Sequence, residues 1–161
     1  MQVIDGLTLA PDLRVALVVS QYHDFVTARL ERGALAALSA AGVASESTTV
    51  VRVPGAFEIP SAARLAADTG RFDAVVGLGC LIRGETPHFE FIASAVAHGL
   101  VVAALETRVP MTFGVLTTNT AEEALARAAD GPSNKGWEAA TAGVEMARIA
   151  RALRSPGASG T

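Results

Sequence analysis

Apolar runs and helix-spaced apolar positions alternate along this chain. Arg14-Val-Ala-Leu-Val-Val-Ser20 is almost continuously apolar, the pattern of a strand covered on both faces. From Asp24 to Ala41, Phe25, Leu30, Ala34, Leu38 and Ala41 recur at helical spacing, and Gly42 supplies a C-terminal stop. Thr48–Val53 predicts a second strand ended by Pro54-Gly55, and Ile59–Asp68 a short helix closed by Gly70. Asp73–Cys80 predicts a third strand and Pro87–Glu106 a long helix. Met111–Thr117 predicts a fourth strand, followed by helices over Thr120–Ala129 and Asn134–Arg154. The tail, Ser155-Pro-Gly-Ala-Ser-Gly-Thr161, reads as disordered, which leaves residues 1–154 as a single domain.

Strands separated by helices at this spacing pair in parallel, because each connection must cross over the sheet. The strands lack polar alternation, as expected when helices cover both faces. The predicted fold is α/β: a three-layer α/β/α sandwich with a four-stranded parallel sheet, flavodoxin-like. Such sheets bind ligands beyond the carboxyl ends of their strands. That rule selects Ser20–Asp24, Pro54–Glu58, Leu81–His88 and the segment after Phe113.

Composition narrows the reading. Hydrophobic residues make up 50% of the 161 but aromatics only 5%, so Val, Leu, Ile and Ala must build the core. Charged residues are 18%, below the usual ~25% of soluble domains, a hint that other subunits cover some surface. The net charge of −3, without any block of like charge, argues against a nucleic-acid face. There is no basic amphipathic helix for membrane attachment, and apolar stretches such as Leu100–Leu105 are short for a bilayer span. The N-terminus has an early Asp5 and no basic region, unlike a signal peptide, so the cytoplasm is the expected compartment. A single cysteine, Cys80, excludes an internal disulfide and a cysteine-based zinc site. His23, His88 and His98 lack metal-ligand spacing, so no metal is expected.

The segment after the third strand, Leu81-Ile-Arg-Gly-Glu-Thr-Pro-His-Phe89, carries most of the candidate chemistry. Thr86 suits an N-cap and Pro87 the first helical turn. The exposed N–H groups there, with the Arg83 guanidinium, would form an anion or phosphate cradle. His88 falls in the same turn, and a free imidazole titrates near ~6.5, suited to proton transfer. The same residues equally fit a plain helix cap, a solvated arginine and a surface histidine. Gly77-Leu-Gly79 resembles a dinucleotide motif superficially, but the third glycine is missing and both glycines fall within the strand. In Pro54-Gly-Ala-Phe-Glu-Ile-Pro60, backbone and carboxylate would approach a planar polar ligand. The alternative is a simple turn with Phe57 in the core. Tyr22 fits an aromatic-stacking residue or a rim residue, and Cys80 reads as inert packing.

Taken together these segments resemble the lumazine synthase family, from about Val15 to Leu153. The strongest matches are Val53-Pro-Gly-Ala-Phe-Glu-Ile-Pro60 and Gly79-Cys-Leu-Ile-Arg-Gly-Glu-Thr-Pro-His-Phe89. Phe113-Gly-Val-Leu-Thr-Thr-Asn119 and Asn134-Lys-Gly136 follow in order. The resemblance implies a cofactor-free transferase. It would condense 5-amino-6-(D-ribitylamino)uracil with 3,4-dihydroxy-2-butanone 4-phosphate to 6,7-dimethyl-8-ribityllumazine, water and phosphate. By that resemblance Tyr22 stacks on the pyrimidine, and Ala56, Phe57 and Glu58 hold the ribityl chain and ring edge. Cys80, Leu81 and Ile82 line the pyrimidine pocket, which Phe113 completes from a neighbouring subunit. Arg83, Glu85 and Thr86 bind the phosphate-bearing substrate, Arg127 clamps its phosphate, and Lys135 adds charge nearby. His88 is the acid/base.

The resemblance further implies a homo-oligomer, a pentamer at least, with sixty-subunit shells and association with riboflavin synthase among the family's options. The chain departs from the common pattern at His23, where Asn is frequent, and at Trp137, where a small residue is frequent. Ala129-Asp-Gly-Pro-Ser133 lacks the glycine- and lysine-containing loop of capsid-forming members, and its Pro132 favours the pentamer. The competing reading is a non-catalytic flavin-binding or shell-forming protein on the same scaffold, since fold alone does not fix function. A monomeric flavodoxin-like electron carrier would need an acidic face and a phosphate loop that this sequence lacks.

Overall fold

The computed structural model describes residues 1–155; the expected disordered tail otherwise lies outside the described residues. The strands are β1 (Val15–Ser20), β2 (Thr48–Val53), β3 (Ala74–Ile82) and β4 (Met111–Thr118). They form one all-parallel sheet in the order β2-β1-β3-β4. The helices are α1 (Asp24–Ala40), α2 (Ile59–Asp68), α3 (His88–Thr107), α4 (Ala121–Arg127) and α5 (Lys135–Arg154). The α/β/α sandwich expected from the sequence is therefore the fold.

Successive strand residues point to opposite faces, and two apolar clusters result. Val15, Leu17 and Val19 of β1 pack with Leu30 and Leu38 of α1, Ala124 of α4, and Ala140 and Val144 of α5. Ala16 and Val18 pack the other way, with Ile59 and Ala63 of α2 and Val96 and Leu100 of α3. Leu17, Leu30, Ile59 and Leu78 are fully buried, and each such side chain contributes about 1.5–3 kcal/mol of burial energy. Gly77 and Gly79 serve this packing. A Cβ on Gly77 would lie 2.9 Å from Cγ2 of Ile59, and one on Gly79 3.0 Å from its Cδ1. These glycines bring α2 onto β3; they are not a phosphate loop.

At the amino ends of the strands, Asp73 accepts from the Arg14 amide at 2.7 Å and pairs with Arg151 at 3.0 Å. These contacts tie the start of β1 to the turn before β3 and to the end of α5.

Several boundaries differ from expectation for identifiable reasons. β3 continues through Ile82 because β4 pairs with it that far, Ile82 opposite Thr118. α4 is shorter than Thr120–Ala129: Ala128 has left helical geometry, and its carbonyl accepts from the Asn134 side chain at 3.0 Å. Short 3-10 turns at Ser45–Ser47 and Ala56–Glu58 carry no apolar period and were not anticipated.

α3 also corrects the view that every apolar stretch is short for a bilayer. It has 20 residues and a mean hydropathy of 1.6, long and apolar enough to cross a membrane by length and composition. In this fold Val96, Leu100 and Ala103 pack inward, while Phe91, Val101 and Leu105 are exposed.

Candidate active site

A cavity of about 800 Å³ opens at the carboxyl ends of β1 and β3, beside the loop that leaves β2. Its volume suits a small-molecule ligand. It lies where the crossover connections diverge to opposite faces of the sheet, the usual ligand position in open parallel sheets.

Three loops and one helix supply its lining. Tyr22 and His23 follow β1, Gly55–Glu58 follow β2, and Cys80, Leu81 and Ile82 end β3. Gly84, Thr86, His88, Phe89, Phe91 and Ile92 come from the connection into α3 and its first turns. Backbone bonds hold the first two loops together: Gln21 N–H donates to the Val53 carbonyl at 2.8 Å and Tyr22 N–H to the Pro54 carbonyl at 3.1 Å. Ala56 is buried, and Phe57 is 60% exposed at the cavity, so the reading that put Phe57 in the core is wrong. The 3-10 turn reverses which of these neighbours faces inward.

Tyr22 is 67% exposed, and its ring centroid lies 4.5 Å from that of His23. His23 sits in left-handed geometry (φ 60°, ψ 47°) and N-caps α1 through its carbonyl, which accepts from Val26 and Thr27. Asn, Asp and His are the non-glycine residues enriched in this region, so His23 suits the backbone conformation that this turn requires. Desolvation holds the His23 imidazole below its ordinary pKa, which favours the neutral ring at this mouth. Burial likewise pushes the Cys80 thiol up to about 11, so Cys80 contributes a neutral, unreactive wall.

The start of α3 differs from the expected Thr86 cap. Pro87 occupies the N-cap position and no side chain caps the helix. The first-turn N–H groups therefore have no side-chain acceptor of their own, which suits an anion. Arg83 and Glu85 do not line the cavity. The Arg83 guanidinium donates to Asn119 Oδ1 at 3.0 Å, pairs with Glu90 and lies 4.8 Å over the Phe89 ring. Its charge is engaged within the chain. Phe91 and Ile92 went unnoticed in the sequence, although they stand three and four residues after His88 and so share its helical face.

The remaining expected residues gather elsewhere. A second cleft of about 630 Å³ runs between β4 and α5 and is lined by Phe113, Arg127 and Lys135, with Glu138 among others. Lys135 Nζ pairs with Glu138 at 2.8 Å, and the Arg127 guanidinium donates to the Glu123 carbonyl at 3.1 Å. Two cations against one carboxylate leave the cleft lining with one net positive charge. The two cavities share no lining residue. Trp137, beside this cleft, is half-buried against the α1/α5 core.

The doubly wound parallel sheet, with a cavity at its strand ends and a histidine on the adjoining helix N-terminus, places this chain in the class of flavodoxin-like α/β/α proteins. The family model described as 6,7-dimethyl-8-ribityllumazine synthase matches residues 12–151. The chain belongs to that family, which comprises transferase enzymes of riboflavin biosynthesis.

Proposed function

We propose that this chain condenses 5-amino-6-(D-ribitylamino)uracil with 3,4-dihydroxy-2-butanone 4-phosphate, giving 6,7-dimethyl-8-ribityllumazine, water and inorganic phosphate. The site is composite: the β1/β3 cavity of one subunit meets the β4/α5 cleft of the next. The observation that carries this reading is the division of the site residues between two cavities with no common wall. A substrate pair that needs both sets requires two chains.

In this reading Tyr22 stacks on the pyrimidine, with Ala56, Phe57 and Glu58 along the ribityl chain and Cys80, Leu81 and Ile82 against the ring. Phe113 of the neighbour closes the pyrimidine site. Because Arg127 and Lys135 line the same cleft as Phe113, they too arrive from the neighbour and hold the phosphate. Thr86 and the α3 N-terminus face them across the contact. Arg83 and Glu85 act at the rim, Arg83 by bracing the connection through Asn119. The 5-amino group attacks the ketone and loses water to an imine, and phosphate is then eliminated. The ribityl-bearing amine attacks the remaining carbonyl and loses a second water to close the ring, with His88 moving the protons of these steps. Alignment of amine and ketone supplies much of the rate, and one placed imidazole adds about 10²–10⁴-fold. None of these steps requires a metal or organic cofactor.

The same reading makes residues 1–154 one cytoplasmic domain in a pentamer at least. The exposed apolar face of α3 and the exposed Val3, Leu7 and Leu9 support burial between subunits. A sixty-subunit shell and a complex with riboflavin synthase are larger assemblies of the same unit. The test is phosphate release coupled to lumazine absorbance at neutral pH with both substrates. Equal yields of phosphate and lumazine, well above a no-enzyme control and lost in His88→Ala, are expected. A rate equal to the control would instead favour a non-catalytic flavin-binding or shell-forming protein.

A further inference from the structure

We propose that Asn134 is a positioning residue for the phosphate end of the site, holding Arg127 and Lys135 in register through one buried carboxamide. The inference rests on the assignment of the β4/α5 cleft to phosphate.

Asn134 is 1% exposed, and its side-chain oxygen and nitrogen are both fully used. Oδ1 accepts from the Gly136 amide at 2.8 Å and the Trp137 amide at 3.2 Å, which caps α5. Nδ2 donates to the Ala128 carbonyl at 3.0 Å and to the Arg29 carbonyl on α1 at 3.2 Å. Ala128 is the residue after Arg127, and Lys135 the residue after Asn134. One planar group thus pins the backbone beside each cation and braces both on α1. The cations themselves are exposed, and among the described residues they are held by the Glu123 carbonyl and by Glu138. The intervening loop turns through Gly131 at φ 106°, whose carbonyl accepts from the Asn134 backbone amide at 3.0 Å.

The surroundings are shaped for this carboxamide. A Cβ built on Gly33 of α1 would fall inside the Asn134 side chain, and one on Gly136 inside the Leu30 carbonyl. A cap alone needs only an acceptor oxygen, which Ser, Thr or Asp supplies equally well. The donations to Ala128 and Arg29 need an amide nitrogen on the same group. A phosphate clamp works only when its cations are held close to the productive geometry. Asn134 meets that requirement without touching substrate.

The test compares Asn134→Asp, Asn134→Ser, Gly33→Ala and Arg127→Ala as assembled full-length protein. Competitive inhibition by inorganic phosphate, KM for each substrate and Tm are measured for each. Both Asn134 variants keep an oxygen for the α5 cap and lose the amide donation. Phosphate affinity and KM for the phosphate-bearing substrate are expected to worsen about tenfold, while KM for the pyrimidine stays put. Gly33→Ala, whose Cβ would overlap the carboxamide, is expected to reproduce that split. If Arg127→Ala weakens phosphate but the Asn134 variants bind it like the wild type, Asn134 is only a cap and the proposal falls. It falls also if both KM values move together with Tm. If Arg127→Ala leaves phosphate binding intact, the cleft assignment fails and takes this inference with it.

Discussion

His88 and Arg127 line different cavities of the same chain, so a composite site allows two inactive variants to rescue one another. His88→Ala and Arg127→Ala chains are co-expressed in equal amounts with different tags, and mixed assemblies are isolated. Alone, His88→Ala loses about 10²–10⁴-fold in turnover. Arg127→Ala loses a charged hydrogen-bonding partner, about 1.5–3 kcal/mol or roughly ten- to a hundredfold. In a ring of head-to-tail contacts, a working site needs an intact strand-end cavity from one subunit and an intact β4/α5 cleft from its neighbour. Each condition holds for half of the positions, so about one quarter of the sites in a pentamer are complete, slightly more once unmixed rings are removed. Lumazine absorbance per subunit should therefore recover to about 25% of wild type, above the roughly 1–10% left to Arg127→Ala and the smaller remainder left to His88→Ala. Activity no greater than the average of the two separate variants would show that each chain carries its own site, and the two-cavity argument would be refuted.

Burial raises the Cys80 thiol from 9.0 to about 11, so the native state stays protonated where an unfolded chain ionises. Stability is then complete below about pH 9 and falls by roughly 2–3 kcal/mol as pH rises toward 11. Urea midpoints across that range should show the fall in the wild type and lose it in Cys80→Ala; the same slope in both would contradict the assignment. Gly136→Ala improves helix propensity by about 1 kcal/mol yet drives a Cβ into the Leu30 carbonyl. A net loss of about 1–3 kcal/mol is expected by denaturant titration, and a more stable variant would show that α1 and α5 can part cheaply. Tyr22 presents an exposed ring at the cavity mouth, so Tyr22→Phe should leave the pyrimidine KM near wild type. Tyr22→Ala should raise it about tenfold or more, and equal effects from the two would point to the hydroxyl instead.

By itself the sequence determined the architecture, because strand and helix periods and the glycine stops are local. The unbroken apolar run in β1 already demanded cover on both faces, and the strand-helix alternation demanded parallel pairing. The ordered motifs around Phe57, His88, Phe113 and Lys135 likewise marked the family and its candidate residues. Tertiary structure decided what depends on neighbours far away in the chain. Pairing with β4 carried β3 on to Ile82, and a 3-10 turn put Phe57 outside and Ala56 inside. Pro87 displaced Thr86 from the cap, and Arg83 was claimed by Asn119 and Glu90. Above all, Arg127 and Lys135 gathered with Phe113 in a cleft of their own, apart from the cavity at the strand ends. Asn134 gained its place only when α1, α4 and α5 met around it. Periodicity records which face of an element is apolar. Which faces meet, and which polar groups they leave to bond with each other, is settled only when the layers close.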